Sequence, residues 1–397
     1  MPGIRRKRRK KKNAAYFDYS MLAVVIILIC FGLVMLYSAS AYEAASDAAI
    51  GDDMFYFRRQ AMSSLIALVC ALVVSFIDYH VAVFFAPVVY IVSIGLMGMV
   101  RFTSFGRTVN GATRWLQFGS YSFQPAELAK IAVILMMTLL ILRLGKRIRE
   151  FGNVVLLFII GLIPALCAYL FTDNLSTGVI IIAICLLMIF LAHPKTAPFI
   201  VGLFALGAGS VGLLTLIDRT IATSSSFRVR RVLAWLHPEE NLSTGGYQVM
   251  QALYAIGSGG FFGKGLGNST QKLSTIPEAQ NDMIFSIICE ELGLFGAILV
   301  LLLFGYLLYR LYYVAKNAAD ACGTLLVSGI FIHIALQVVL NISVNLNLIP
   351  TTGVTLPFVS YGGTSVIFTM LEIGMALNVA RTIQPEEQAE EWRPSEI

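Results

Sequence analysis

Apolar stretches about as long as the roughly 20 residues needed to cross a bilayer recur along nearly the whole chain, as in Met21 to Tyr37, Val154 to Leu170 and Leu292 to Tyr309. No other feature restricts the fold as strongly. Lipid offers no hydrogen-bond partners to a bare backbone, and the runs are continuous instead of alternating, so the spans are predicted to be helices and not barrel strands. A charged content of 13% against 57% hydrophobic residues excludes an ordinary soluble domain. The expected fold class is an all-α polytopic membrane protein.

Spans are placed at about 18–40, 60–77, 81–100, 124–142, 153–171, 176–192, 196–217, 281–312, 323–345 and 363–381, about ten in all, with both termini cytoplasmic. Arg143, Lys146, Arg147 and Arg149 then fall inside, as do Lys195 and Lys316, while the acidic loop Glu43 to Asp53 falls outside. The net charge of +6 might suggest nucleic acid. The basic run Arg5 to Lys12 beside the first span instead reads as an anchor on anionic lipid and an orientation signal, and the first span is read as uncleaved. The expected organisation is a basic tail over 1–17, one transmembrane domain over 18–383 and a flexible polar tail over 384–397.

Two outside segments are long, 101–123 and above all 218–281, far beyond the usual connection of a handful of residues. Phe227, Trp235, Leu236 and Tyr247 supply apolar anchors in the second, and Leu253, Tyr254 and Ile256 follow at near-helical spacing, so it is predicted to be partly ordered at the membrane surface.

The six cysteines and four histidines show no metal-type spacing; the cysteines read as small buried hydrophobes, and no metal site is expected from either residue type. Gly257 to Lys264 superficially resembles a phosphate-binding loop, but Ser258 stands where the first glycine is needed; a turn permitting positive dihedrals and close packing competes with phosphate contact through Lys264. Arg228, Arg230 and Arg231 lie in an outside loop where the orientation rule exerts little force. They call for an anionic partner, either lipid headgroups or a substrate diphosphate, and Arg107 and Arg114 extend the same positive surface. Asn281 or Asp282 suits a helix cap, and Asp282 also suits a carboxylate held at the aqueous edge of the membrane. Glu127 and Lys130 form an i, i+3 pair within a span, structural or functional, while Arg310 is expected to snorkel from a helix end.

Asn110 to Leu116, Phe123 to Lys130, Pro277 to Asp282, Glu290 to Gly293 and Gly353 to Gly363 together resemble the SEDS family, the shape, elongation, division and sporulation proteins. Tyr37 to Ser40 and the Gly-Val-Thr-Leu-Pro wording look more like its division and sporulation members than its elongation members. The chain departs at Pro350-Thr-Thr-Gly353, where the family more often has Pro-Val-Thr-Gly, and at Asp173 to Gly178, where Pro-Asp-Leu-Gly-Thr is usual. The second departure puts the role of Asp173 in question.

The resemblance implies a peptidoglycan glycosyltransferase of the bacterial cytoplasmic membrane that polymerises lipid II into β-1,4 glycan strands, with inversion, at the outer face and at the division septum. It implies Asp282 as the essential base, Glu127 and Lys130 as a buried pair shaping the central cavity, and Arg114, Arg228, Arg230 and Arg231 as candidates for the diphosphate. Its implied partners are lipid II and the nascent glycan strand, a class B penicillin-binding protein with transpeptidase activity, other division proteins and membrane lipid, with no nucleic acid. Diphosphate chemistry makes Mg²⁺ or Mn²⁺ plausible, although no compact cluster of oxygen ligands is visible. Two rival readings are a lipid II flippase, which would also need intramembrane charge, and a non-catalytic scaffold of the division machinery.

Overall fold

The computed structural model describes residues 17–48, 50–109, 112–119, 121–195, 227–242, 245–273 and 276–383. Its chain is punctuated by short polar caps. Asp18 accepts from the Met21 backbone N–H at 2.9 Å and starts α1, Tyr19–Ser46. After α2, Phe55–Val74, Asp78 caps α3, Tyr79–Phe84, which passes directly into α4, Ala86–Phe102. The span expected at 81–100 is therefore two helices, because Pro87 lacks the N–H that would continue the ladder and fits only a first helical turn.

Pro125 opens α5, Pro125–Leu144, and α6 follows at Phe151–Thr172. Asn174 then caps α7, Leu175–Ala192. Beyond it lie α8, Phe227–Leu236, and α9, Gly246–Ser258. The series ends with α10, Ile284–Lys316, then α11, Ala321–Asn345, capped by Asp320, and α12, Thr364–Ala380. Among the described residues seven helices, α1, α2, α5, α6, α7, α10 and α11, are long and apolar enough to cross a membrane, and α4 and α12 are shorter apolar helices. The expected span at 196–217 lies outside the described residues.

Helix α5 is the axis of the bundle, touching α3, α4, α6, α7, α11 and α12. Helices α2 and α12 approach closely because their faces are small: a Cβ on Gly374 would stand 2.6 Å from the Ala71 carbonyl. Two findings depart from a purely helical reading. The segment 101–123 carries an antiparallel sheet of β1, Gly106–Val109, β2, Ala112–Phe118, and β3, Tyr121–Phe123, in the order β1-β2-β3, with Arg107 opposite Trp115 and Leu116 opposite Phe123. Helix α10 is broken at Gly293, whose φ of 66° and ψ of −161° are open only to glycine. Arg310, rather than snorkelling, donates to the buried Asp18 at 2.8 Å and ties α10 to the start of α1. Cys30 is exposed on α1, while Cys185, Cys289 and Cys322 are buried.

Candidate active site

Asp282 stands in the turn that leads into α10. Although the sequence allows Asn281 or Asp282 to cap that helix, Met283 is the capping residue and makes no side-chain bond. The Ser286 N–H in the first turn is instead taken by Asn345 of α11, Oδ1 at 3.1 Å. The Asp282 carboxylate is thereby released from capping. Its main-chain carbonyl accepts from the Asn341 and Asn345 carboxamides at 2.8 and 2.9 Å.

Opposite lies the segment 346–363 between α11 and α12. Gly353 has φ +71°, and a Cβ built on it would be 3.9 Å from both Arg114 Nη1 and Asp282 Oδ2. Gly353 therefore lies beside both the guanidinium and the carboxylate. Gln60 of α2 steadies the far end of this segment, its Oε1 accepting from the Gly362 and Gly363 N–H groups at 3.3 and 3.2 Å.

Arg114 projects from β2 and donates through Nη2 to the Asp173 carbonyl at 3.3 Å, while its Nε is buried with no hydrogen-bond partner among the described residues. Asp173, at φ 47°, ends α6 in the left-handed conformation that turns this carbonyl toward the arginine. Arg231 of α8 donates to the Thr351 carbonyl at 3.3 Å, and Ser176 Oγ to the Thr352 carbonyl at 2.6 Å. The two departures from the family pattern, at 173–178 and 350–353, therefore meet beside Asp282. Burial pushes the Asp282 carboxyl up to about 6, with Glu278 adding to the rise and its own N–H, Arg231 and Arg114 opposing it. Burial also lowers Arg114 and Arg231, and the repulsion of Arg231 lowers Arg114 further.

The other residues singled out in the sequence fall elsewhere. Glu127 and Lys130 pair at 2.9 Å inside α5, with Ser365 Oγ donating to Glu127 at 3.0 Å. Lys264 belongs to a second cluster: its ammonium donates to Glu290 at 2.6 Å and to Thr270 at 3.3 Å, so its charge is already matched. The arginines at 228 and 230 stand in α8 with side chains outside the described residues, and Arg107 is exposed on β1. Among the described residues no group of three or more His, Cys, Asp or Glu is placed to hold a metal ion.

Sequence reasoning missed this second cluster and a third. Glu290 and Glu291, both fully buried, face the loop 259–273. Thr270 and Ser269 join Lys264 on Glu290, while Lys272 at 2.8 Å and Ser38 of α1 at 2.7 Å hold Glu291. The loop's backbone also zips onto the break in α10, Lys264 N–H to Glu290 O at 3.0 Å and Leu294 N–H to Gly260 O at 3.0 Å. Its glycines permit this approach, since a Cβ on Gly263 (φ +79°) would meet the Glu291 carbonyl at 2.1 Å. Deeper in the bundle, His333 Nδ1 of α11 pairs with Glu372 of α12 at 2.8 Å. The signal available was the presence of ionisable groups in apolar helices, which lipid tolerates only when they are paired.

Residues 18–384 match the FtsW/RodA/SpoVE family, described as cell cycle proteins. Stage V sporulation protein E of Bacillus subtilis (strain 168) is 36% identical over 372 residues, covering 92% of this chain and 97% of its own. The probable peptidoglycan glycosyltransferase FtsW of Trichlorobacter lovleyi is 35% identical over 364 residues, covering 92% of this chain and 93% of its own. Among solved structures, a chain of a peptidoglycan synthase complex described as coordinating polymerization and crosslinking is similar at a TM-score of 0.74 and 28% identity, with 93% of this chain and 98% of that chain covered. The rod shape determining protein RodA of Thermus thermophilus is similar at a TM-score of 0.66 and 27% identity, over 94% of this chain and 100% of that chain. Matched by the family over residues 18–384 and by such relatives over nearly their full length, this chain is a member of the FtsW/RodA/SpoVE family of membrane proteins.

Proposed function

We propose that the chain is a peptidoglycan glycosyltransferase that polymerises lipid II in the bacterial cytoplasmic membrane during division or sporulation, with Asp282 as general base. The observation that carries this reading is that the Asp282 carboxylate, which does not cap α10, shares the surroundings of Gly353 with the Arg114 guanidinium. An inverting glycosyl transfer needs a base on one side of the anomeric carbon and cations on the other.

In this reaction the diphosphate of the lipid-linked glycan lies against Arg114 and Arg231, whose planar forks suit phosphate oxygens. Asp282 takes the proton from the 4-hydroxyl of the acceptor disaccharide as its oxygen bonds to the anomeric carbon. The bond from that carbon to the lipid diphosphate breaks, and its electron pair leaves with the diphosphate, where the arginines offset the added charge. A carboxyl poised near 6 is ionised at neutral pH yet basic enough to accept the proton. A class B penicillin-binding protein is the partner this reading requires, in keeping with the similarity to a chain of a complex that couples polymerization to crosslinking.

The test is polymerisation of labelled lipid II by the purified protein with its transpeptidase, comparing wild type with Asp282→Ala and Asp282→Asn. The reading expects polymer from wild type only, with a loss of about 10²- to 10⁴-fold in folded, partner-bound variants. Polymer from all three at equal rate refutes the base, and polymer from none points to transport, to be read in a lipid II flipping assay.

A further inference from the structure

Asn341 and Asn345 lie one turn apart on α11, both buried, on the face turned toward the Asp282 turn. Carboxamides are costly inside an apolar helix unless every group is used, and here all four N–H groups find acceptors. Asn341 Nδ2 donates to Asp282 O and to Val354 O, each at 2.8 Å; Asn345 Nδ2 donates to Asp282 O and Asn341 O, each at 2.9 Å. Both lone pairs of the Asp282 carbonyl are thus engaged by one helix face. The Asn345 oxygen meanwhile accepts from Ser286 N–H at 3.1 Å and Oγ at 2.7 Å, supplying the cap that α10 lacks. Val354 follows Gly353, which lies beside both Asp282 and Arg114, so the same pair of carboxamides holds the Asp282 turn and the neighbouring backbone of the 346–363 segment.

We propose that Asn341 and Asn345 are positioning residues for the Asp282 carboxylate, clamping its main-chain carbonyl, capping α10 in its place and fixing the neighbouring Gly353–Val354 backbone. The proposal rests on Asp282 being the base. Neither asparagine touches the reacting atoms. Their effect appears in the chemical step, because a displacement of about 1 Å at a catalytic group costs on the order of 10²-fold in rate.

The experiment measures lipid II polymerisation across the acid limb of the pH profile for Asn341→Leu, Asn345→Leu, the double variant, Ser286→Ala and Asp282→Asn, each purified with its transpeptidase. Expected are kcat losses of roughly 10-fold for each single leucine variant and about 10²-fold for the double, with KM for lipid II within about 2-fold and the midpoint of the acid limb displaced. Ser286→Ala, which removes the shorter of the two hydrogen bonds to the Asn345 oxygen and leaves the carboxamide in place, should lose kcat in the same sense by a smaller factor. Folded leucine variants with wild-type kcat and an unmoved acid limb, or with only a lower melting temperature or a higher KM, overturn the clamp. If the leucine variants do not fold, Ser286→Ala decides by the same readouts. Asp282→Asn polymerising at the wild-type rate sinks the base itself, whereas an inactive Asp282→Asn beside full-rate asparagine variants sinks only the clamp.

Discussion

Replacing Lys130 by methionine leaves the Glu127 carboxylate inside α5 without the ammonium that now sits 2.9 Å away, while the Ser365 hydroxyl continues to donate to it at 3.0 Å. Lys130 is 1% exposed, so water cannot replace the lost partner. A buried pair broken from one side typically costs about 3–5 kcal/mol, whereas replacing both partners by apolar residues of similar volume is neutral or stabilising by about 1–4 kcal/mol. With an unfolding entropy of about 2.1 cal/mol/K per residue, a chain of this length shifts its midpoint by roughly 1 °C per kcal/mol. Lys130→Met and Glu127→Met should therefore each lower the melting temperature by about 4–6 °C, and the double variant should recover most of that loss. Thermal unfolding in detergent, followed by loss of the monodisperse peak, reads this directly. A double variant as unstable as the worse single would refute the reasoning, because the pair would then matter for contacts other than its mutual charge.

The polymerisation rate should fall as pH drops through about 6, since the raised Asp282 carboxyl holds its proton there and a protonated base cannot accept another; Glu278→Gln, which removes a carboxylate that raises it, should move this limb to lower pH in a rate-against-pH series. Arg114→Met should weaken lipid II binding by about 10- to 100-fold, the worth of a hydrogen bond to a charged group, as measured by fluorescence titration. Lys264→Met should leave that affinity unchanged and lower thermal stability by about 1–3 kcal/mol, because it uncovers the buried Glu290. Gly293→Ala should abolish the yield of folded protein on size exclusion, with a cost beyond ~4 kcal/mol, since its Cβ would lie 2.4 Å from the Gly263 nitrogen at a dihedral closed to alanine.

Most of the bundle was legible in the sequence because continuous apolar runs have a single outcome in lipid. The sheet was not read, although Asn110-Gly111 between two alternating runs is the strongest short hairpin signal. Strands of 4, 7 and 3 residues carry too short an alternation to stand out beside the long apolar runs. The Gly293 break had no signal beyond a glycine in an apolar helix, because what requires it is the backbone of a loop about 30 residues earlier. At the site, residue types were legible and partnerships were not. Asp282 could be singled out as a carboxylate at a helix mouth, but the cap that releases it comes from Asn345, 59 positions beyond Ser286. Glu290 and Glu291 stood out only as a family signature, and His333 looked isolated because its partner lies in another helix, 39 positions on.

The bond from Ser38 to Glu291 joins α1 to α10 across 253 positions of sequence. A chain inserted into the membrane from its N-terminus therefore carries the outer end of α1 through most of its synthesis before the glutamate it binds exists. The loop that supplies Lys264 and Lys272 is made shortly before α10, whose two glutamates are the partners of those lysines. Its ion pairs cannot form before α10 arrives with both carboxylates and the broken turn at Gly293. Such distant closures slow assembly, and interrupting synthesis before α10 would leave the loop without its template however well the first helices had packed.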